Sequence, residues 1–172
     1  ISALIASEGK IITPRIIGHG PPVESDIPFD QPIDPEIMQR MKRGMFGVTS
    51  EPGGTARRSG DLGLGDGSRL AGKTGTAQVR RISAAERRSG VLKGDQIERK
   101  LRDHALFVSY APADNPQYAC SVIVEHGEGG SKAAAPVARD ILAFALKNKS
   151  RRTPAYATKT ADLQSTNSKG AH

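Results

Sequence analysis

Tryptophan is absent from this 172-residue chain, aromatic residues make up only 4 % of it, and there is a single cysteine, Cys120. One cysteine excludes an internal disulfide, and its place inside an apolar run reads as that of a small core residue. No apolar stretch approaches the ~20 residues that a membrane-spanning helix needs, and nothing has the layout of a signal peptide. The paucity of aromatics also decides what the charge can mean. The net charge is +7, which invites a nucleic-acid reading, but its location argues against one. Residues 80–102 carry eight Lys/Arg against three Asp/Glu, residues 148–172 carry five against one, and the remainder is slightly acidic. No aromatic residue lies within 80–102, and the tail has only Tyr156, so the stacking platforms that hold bases are missing. Solvated basic segments beside an anionic surface explain the excess more simply, and nucleic acid is not an expected partner. A non-enzymatic module that binds an anionic polymer through loop and tail stays open as an alternative.

What is present is enough for one domain with a modest core. The expected boundaries are a folded part over 1–147 and a disordered basic tail over 148–172, where no Ile, Val, Phe or Met occurs. There is no initial methionine, and Ile1-Ser2-Ala3-Leu4-Ile5-Ala6 reads as the end of a helix cut open, so a fragment is expected. That helix should run to residue 8 and stop on Gly9 in a left-handed cap. Lys10 to Ile17 reads as extended around Pro14, and residues 18–33, broken by Pro21, Pro22, Pro28 and Pro32, as a surface excursion. Asp34 as N-cap, Pro35 at the first position and Glu36 in the first turn predict a helix. Ile37, Met41, Met45 and Val48 recur along it as an expected buried stripe. After an irregular glycine-rich segment a strand is expected at about 69–80, then the basic loop 80–102 with room for a short helix. The runs His104–Ala111 and Tyr118–Glu125 flank Pro112-Ala113-Asp114-Asn115-Pro116 and predict a hairpin. Both are apolar at nearly every position, so both faces should be covered. A last helix from about Ala133 to Lys147 should bury a wide face of Val137, Ala138, Ile141, Leu142, Phe144 and Ala145.

The segment Ala71-Gly72-Lys73-Thr74-Gly75-Thr76-Ala77-Gln78-Val79 carries the chemistry. From Gly67 to Thr74 it also fits the eight-residue phosphate-loop pattern. A phosphate loop needs a buried strand before it and a helix after it, so that free N–H groups at the helix start hold the phosphates. Upstream there is no apolar run, and Gly75-Thr76-Ala77-Gln78-Val79 is poor helix material. Read as a strand, the segment makes better sense. Thr74 and Thr76 share one face and can offer two hydroxyls to one carboxylate. Gly72 and Gly75 remove side chains where a substrate backbone could come close. Lys73 falls on the other parity and supplies positive charge from behind the strand. A backbone N–H near Thr76 can serve an oxyanion. The sum is a carboxylate-recognising, acyl-transfer edge.

Lys-Thr-Gly on a strand is also a signature of the serine transpeptidases and β-lactamases that bind penicillin, and the likeness extends along the chain. Ile12-Thr13-Pro14, Gly44-Met45-Phe46-Gly47-Val48, Gly54-Thr55-Ala56, the Lys-Thr-Gly strand, Arg102-Asp103-His104-Ala105-Leu106-Phe107, Tyr110-Ala111-Pro112, Asn115-Pro116 and Val124-Glu125-His126-Gly127 with Gly129-Gly130 occur in order. In these the chain resembles, over about residues 1–146, the C-terminal part of the transpeptidase domain of class B penicillin-binding proteins. Arg-Asp-His after a long basic loop resembles the elongation type, the penicillin-binding protein 2 kind. The resemblance implies a mixed α/β (α+β), penicillin-binding/serine β-lactamase-like fold of antiparallel strands packed by helices. It implies a D,D-transpeptidase that acts on peptidoglycan stem peptides, is acylated by β-lactams, needs no cofactor or metal, and works with a membrane glycosyltransferase. It also implies a place at the periplasmic face of the bacterial inner membrane, through an anchor outside this chain. On the family's pattern Lys73 belongs to the active-site hydrogen-bond network. Thr74, Gly75 and Thr76 lie along the bound carboxylate, and the Thr76 N–H completes the oxyanion hole. Within the family, a β-lactamase or penicillin sensor remains the rival reading.

One departure matters. The nucleophile motif Ser-x-x-Lys and the motif Ser-x-Asn should both precede Lys-Thr-Gly. Ser7-Glu8-Gly9-Lys10 has the letters of the first, but Gly9 and Pro14 end the helix that should follow it; Ser165-Thr166-Asn167 has those of the second, but in the tail. Both are expected to be chance matches, with the nucleophile helix and the family's first two strands absent from this chain. His19, His104, His126 and His172 have no metal-ligand spacing and are expected in structural or surface roles.

Overall fold

The computed structural model describes residues 1–10, 33–92 and 94–148. The expectations for residues 11–32 and 149–172, including the extended segment, the proline-rich excursion, the disordered tail, Ser165-Thr166-Asn167, His19 and His172, fall outside these residues. Helix α1 spans Ser2–Ala6, α2 Pro35–Ser50, strand β1 Ala71–Ala77, α3 Ala84–Ser89, β2 His104–Ala111, β3 Tyr118–Val124 and α4 Ala135–Lys147. The strands form an antiparallel sheet in the order β1-β2-β3, with Thr74 opposite Phe107 and Phe107 opposite Val122. The expected mixed fold of antiparallel strands packed by helices is therefore what the chain adopts.

Alternation along β2 builds two cores. Ala105, Phe107 and Ala111 point toward α4 and join Leu62, Leu70, Ala135, Ala138 and Leu142. Tyr110 points the other way and joins Ile5, Met38, Met45 and Ala71, beneath α1 and α2. Both faces of β2 are covered, as its apolar run requires. For β3 that expectation fails. Tyr118, Cys120, Val122 and Val124 are half-buried, packed against the α4 core, while Ala119, Ser121 and Ile123 are exposed, Ile123 at 66 %. Composition reports that a strand is apolar; whether a layer lies over its second face depends on the rest of the fold. Burial raises the pKa of the Cys120 thiol, which keeps it in the neutral, unreactive form expected of a core residue.

Helix α2 begins as its sequence dictates. The Asp34 carboxylate accepts from the Glu36 N–H at 2.8 Å, with Pro35 in the first turn. Asp34→Ala is expected to cost about 1 kcal/mol, the usual worth of an N-cap, read as a drop in urea midpoint at unchanged slope. An unchanged midpoint would mean that packing alone holds this helix end. The buried stripe needs correction. Met38, Met45 and Thr49 are buried, whereas Ile37 and Met41 are 52 % and 42 % exposed. Lys42 occupies the missing place between Met38 and Met45: its side chain is 16 % exposed and its ammonium reaches Glu8 at 2.8 Å. Counting apolar residues passes over a lysine whose methylene stem does the packing. The expectation for α4 is likewise half right. Ala138, Leu142 and Ala145 are buried, but Val137, Ile141 and Phe144 stand at 43 %, 48 % and 65 % exposure, since one sheet face covers only one side of a helix.

Helix α1 ends earlier than expected, at Ala6, but Gly9 does take the left-handed conformation, with φ +95°. The predicted helix start near Ala133 is one wide turn of π type over Gly130–Ala134, running directly into α4. The basic loop contains the short helix α3, capped by the Ser83 hydroxyl accepting from the Glu86 N–H at 3.1 Å.

Candidate active-site wall

Strand β1 is an edge of the sheet among the described residues. Its start is fixed by α2. The Thr49 hydroxyl donates to the Leu70 carbonyl at 2.6 Å, and Arg69 donates to the Thr49 carbonyl and the Ser50 hydroxyl, each at 2.9 Å. From there the side chains alternate as the sequence requires. Ala71, Lys73 and Gly75 lie opposite Tyr110, Val108 and Leu106, on the face toward α1 and α2; Gly72, Thr74 and Thr76 lie opposite Ser109, Phe107 and Ala105, on the face toward α4.

The two glycines differ. Gly72 is buried, and a Cβ there would stand 2.4 Å from the Phe107 ring. Its missing side chain makes room for a core phenylalanine, which corrects the expectation that a substrate backbone would lie against it. Gly75 is half-buried, and Gly130 closes over it: a Cβ on Gly130 would meet the Leu106 carbonyl oxygen at 2.3 Å and the Gly75 carbonyl oxygen at 2.9 Å. That contact presses the Gly129–Lys132 turn onto the strand beside the threonines.

Lys73 is exposed and its ammonium donates to the Thr74 carbonyl at 2.8 Å. The Thr74 and Thr55 hydroxyl oxygens lie 3.3 Å apart. Thr55, part of the Gly54-Thr55-Ala56 motif but given no role by the sequence, is brought in because Gly54 lets the chain fold back on α2, where a Cβ would sit 2.5 Å from the Gly47 carbonyl oxygen. Thr76 is exposed further along the same face.

A cleft of about 540 Å³ opens beside this strand, lined by Thr55, Arg57, Arg58, Ser131 and Lys132 among others. Arg57, Arg58 and Lys132 are exposed, make no ion pair among the described residues, and no acidic side chain lines the cleft. Three uncompensated cations and a pair of hydroxyls make an anion receptor of the carboxylate type. These four charged and hydroxylic partners, Arg57, Arg58, Ser131 and Lys132, escape a reading by motif; the two adjacent arginines in a glycine-rich loop are the one hint of them.

At its far end β1 enters the basic loop. The Asp103 carboxylate accepts from the Val79 N–H at 3.2 Å, and Arg80 clamps Glu86 through two hydrogen bonds. That Arg80 hydrogen bond is the first cause of a Glu86 carboxyl held below the ordinary carboxylate range. A lowered pKa stabilises the loop above the ordinary carboxylate value and loses that contribution as pH falls through the lowered one. Amide-exchange protection of residues 84–89, taken relative to Glu86→Gln, is therefore expected to be complete at neutral pH and to vanish at acid pH. Equal protection at neutral pH would show that the clamp holds nothing.

Ser7 sits at the C-terminal end of α1, its hydroxyl donating to the Lys10 carbonyl at 2.8 Å, with Glu8 and Gly9 both at positive φ. A nucleophile at the head of a buried helix it is not. Lys73 and Thr74 lie within β1, so the phosphate-loop pattern lacks the helix start that would make it bind phosphate. His104 and His126 pack with ring centroids 4.8 Å apart, His104 Nδ1 accepting from the His126 N–H at 3.0 Å. They staple the start of β2 to the turn after β3.

A Lys-Thr-Gly edge strand, a hairpin beside it and a C-terminal helix across one face are the arrangement that the resemblance to a transpeptidase domain implies. The chain belongs to the penicillin binding protein transpeptidase domain family, which matches residues 1–143. Among its relatives, the peptidoglycan D,D-transpeptidase MrdA of Haemophilus influenzae is 31 % identical over 166 residues, 90 % of this chain and 24 % of that protein. MrdA of Escherichia coli K12 is 30 % identical over 146 residues, 81 % of this chain and 22 % of that protein. The crystal structure of Pseudomonas aeruginosa PBP2 superposes with a TM-score of 0.59 at 39 % identity, covering 84 % of this chain and 28 % of that one. PBP2 from Helicobacter pylori, in its complex with MreC, gives 0.58 at 29 % identity, covering 88 % and 24 %. The chain thus spans about a quarter of the length of the curated relatives it matches.

Proposed function

We propose that this chain is one wall of the active site of an elongation-type peptidoglycan D,D-transpeptidase, with the nucleophilic serine supplied by a part of the longer polypeptide outside this sequence. The observation that carries the reading is the Thr74 hydroxyl on an edge strand, paired with that of Thr55 and beside Lys73 and the Arg57, Arg58 and Lys132 cations. In the reaction the serine oxygen bonds to the penultimate D-Ala carbonyl of a stem peptide, the peptide bond to the terminal D-Ala breaks, and that D-Ala leaves with the proton. An amine of a neighbouring stem then attacks the ester, and the serine recovers its proton. Thr74 and Thr76 bind the terminal carboxylate, Gly75 lies between them along it, and Lys73 adds positive charge at the edge. The Thr76 N–H serves the oxyanion of each tetrahedral intermediate. β-Lactams, which present a carboxylate beside a reactive amide, enter by the same contacts.

The folded unit is residues 1–147, and the place of work is the periplasmic face of the inner membrane, with a membrane glycosyltransferase as partner. The name of the relatives supports the reaction, and the Helicobacter structure, a PBP2 in complex with MreC, supports work within a protein assembly. Labelling the longer polypeptide with a fluorescent penicillin, followed by peptide mapping, tests the reading. The expected acyl-serine lies outside this sequence, and the 172-residue chain alone takes no label. Stoichiometric label on Ser7 would overturn the assignment of the nucleophile, and absence of label from the longer polypeptide would overturn the function.

A further inference from the structure

The oxyanion contact proposed for Thr76 depends on a backbone N–H that the sheet does not hold directly. The Thr74 carbonyl stands off the edge of β1, where the Lys73 ammonium reaches it. Backbone groups of alternate residues point the same way in an antiparallel ladder, so the Thr76 N–H also faces away from β2. Its place is set by what grips the chain on either side. On one side Gly75 lies under Gly130. On the other the ladder stops at Ala77, opposite His104. The next hold is at Val79, whose N–H donates to the Asp103 carboxylate at 3.2 Å.

Asp103 has a second attachment. Its main-chain carbonyl accepts from the Glu128 N–H at 2.8 Å, in the turn that leads to Gly130. Its neighbours hold the same turn: His104 Nδ1 accepts from the His126 N–H, and His126 Nδ1 lies 3.0 Å from the Arg102 carbonyl oxygen. His126 and Glu128 have φ +56° and +64°, a conformation that residues with side chains keep only where the surroundings fix it. One residue thus ties the exit of β1, through its side chain, to the turn that covers Gly75, through its main chain. We infer that Asp103 is a positioning residue for acyl transfer, its carboxylate fixing the Thr76 N–H where the oxyanion forms. The inference rests on the transpeptidase reading and gives Asp103 no contact with substrate. What it requires of Asp103 is an acceptor rather than a charge. Arg80, held first by its Glu86 hydrogen bond, also feels the Asp103 charge, and Asp103→Asn removes that influence while keeping an acceptor for Val79.

Saturation kinetics of fluorescent-penicillin acylation in the longer polypeptide test it, with the limiting rate and the half-saturating concentration read separately. Asp103→Ala is expected to lower the limiting rate by about 10²-fold, the scale of a small misplacement at a reacting centre. Half-saturation should stay within about two-fold, because the groups proposed to bind the carboxylate are untouched. Asp103→Asn should recover most of the rate. Val79→Pro removes the donor of the same bond from an exposed position outside the strand, and keeps the test open if Asp103→Ala does not fold. It should slow the limiting rate similarly, and the double variant should be no slower than either single one. An unchanged rate in Asp103→Ala, a loss of rate matched by an equal loss of affinity, or an Asp103→Asn protein as slow as Asp103→Ala each overturns the positioning role. An unmodified longer polypeptide that is not acylated at all overturns the transpeptidase reading, and this role with it.

Discussion

Replacing Lys73 by alanine in the longer polypeptide is expected to slow penicillin acylation by about 10²–10³-fold, the range found when one group is removed from an electrostatic receptor for a developing anion. The side chain is exposed, so the loss is not one of stability; an exposed substitution of this kind stays within about 0.5 kcal/mol. What disappears is the one charge carried by β1, together with the partner of the Thr74 edge carbonyl at 2.8 Å. Lys73→Arg separates the two contributions. It keeps the charge but spreads it over a planar fork that fits a single carbonyl poorly, so partial recovery is expected where charge dominates and none where the local hydrogen bond does. The second-order rate of acylation, followed with a fluorescent penicillin at fixed ionic strength, decides. A Lys73→Ala protein that acylates within a few-fold of the parent would remove Lys73 from the site and leave Arg57, Arg58 and Lys132 to bind the carboxylate.

The parts of the fold that rest on local chemistry were legible in the residues. Asp34-Pro35-Glu36 announces the start of α2, the Pro112 to Pro116 turn announces the hairpin, and the alternation across Lys73, Thr74 and Thr76 follows from any strand in that register. The errors came from long-range packing. A helix with two neighbouring apolar stripes does not declare which one turns inward: α2 chose the stripe containing Lys42, and α4 the one made of alanines and Leu142. Alanine carries little hydrophobic weight, yet small residues let α4 approach the sheet closely, and Val137, Ile141 and Phe144 are left on the outer side. The same holds for the site. Residues carried by one strand were found by motif, but Thr55, Arg57 and Arg58 come from a loop folded back over Gly54, and Ser131 and Lys132 from a turn seated on Gly75. Gly72 was misread because a glycine that admits a substrate and one that admits Phe107 look alike until the neighbour is known.

Gly60→Ala is expected to destabilise the chain by about 3 kcal/mol, against the sign that backbone reasoning alone would give. Gly60 has φ −71° and ψ −34°, which alanine adopts freely. At such a position alanine normally stabilises by about 0.4–1 kcal/mol, because it restricts the unfolded chain. Here the added Cβ would lie 1.9 Å from the Thr49 carbonyl oxygen and 2.6 Å from Arg69 Nη2. The carbonyl cannot move cheaply: it holds Arg69, while the Thr49 hydroxyl holds Leu70, and Gly60 itself accepts from the Leu70 N–H at 2.9 Å. The contact therefore pries the end of α2 away from the start of β1, and overpacking of rigid backbone costs about 1–3 kcal/mol or more. Gly44→Ala is the control, since Gly44 is exposed within α2 and an added Cβ would have nothing within 4 Å. That change should stabilise by about 0.5–1 kcal/mol through helix propensity. Opposite shifts of the urea midpoint for the two glycine-to-alanine changes are the expected result. If Gly60→Ala shifts it upward like Gly44→Ala, the latch between Thr49, Arg69 and Leu70 is not what sets β1 in place. The position of Thr74 against Thr55 would then need another support. Because β1 starts at that latch, the same substitution should also lower penicillin acylation in the longer polypeptide, although Gly60 touches nothing in the cleft.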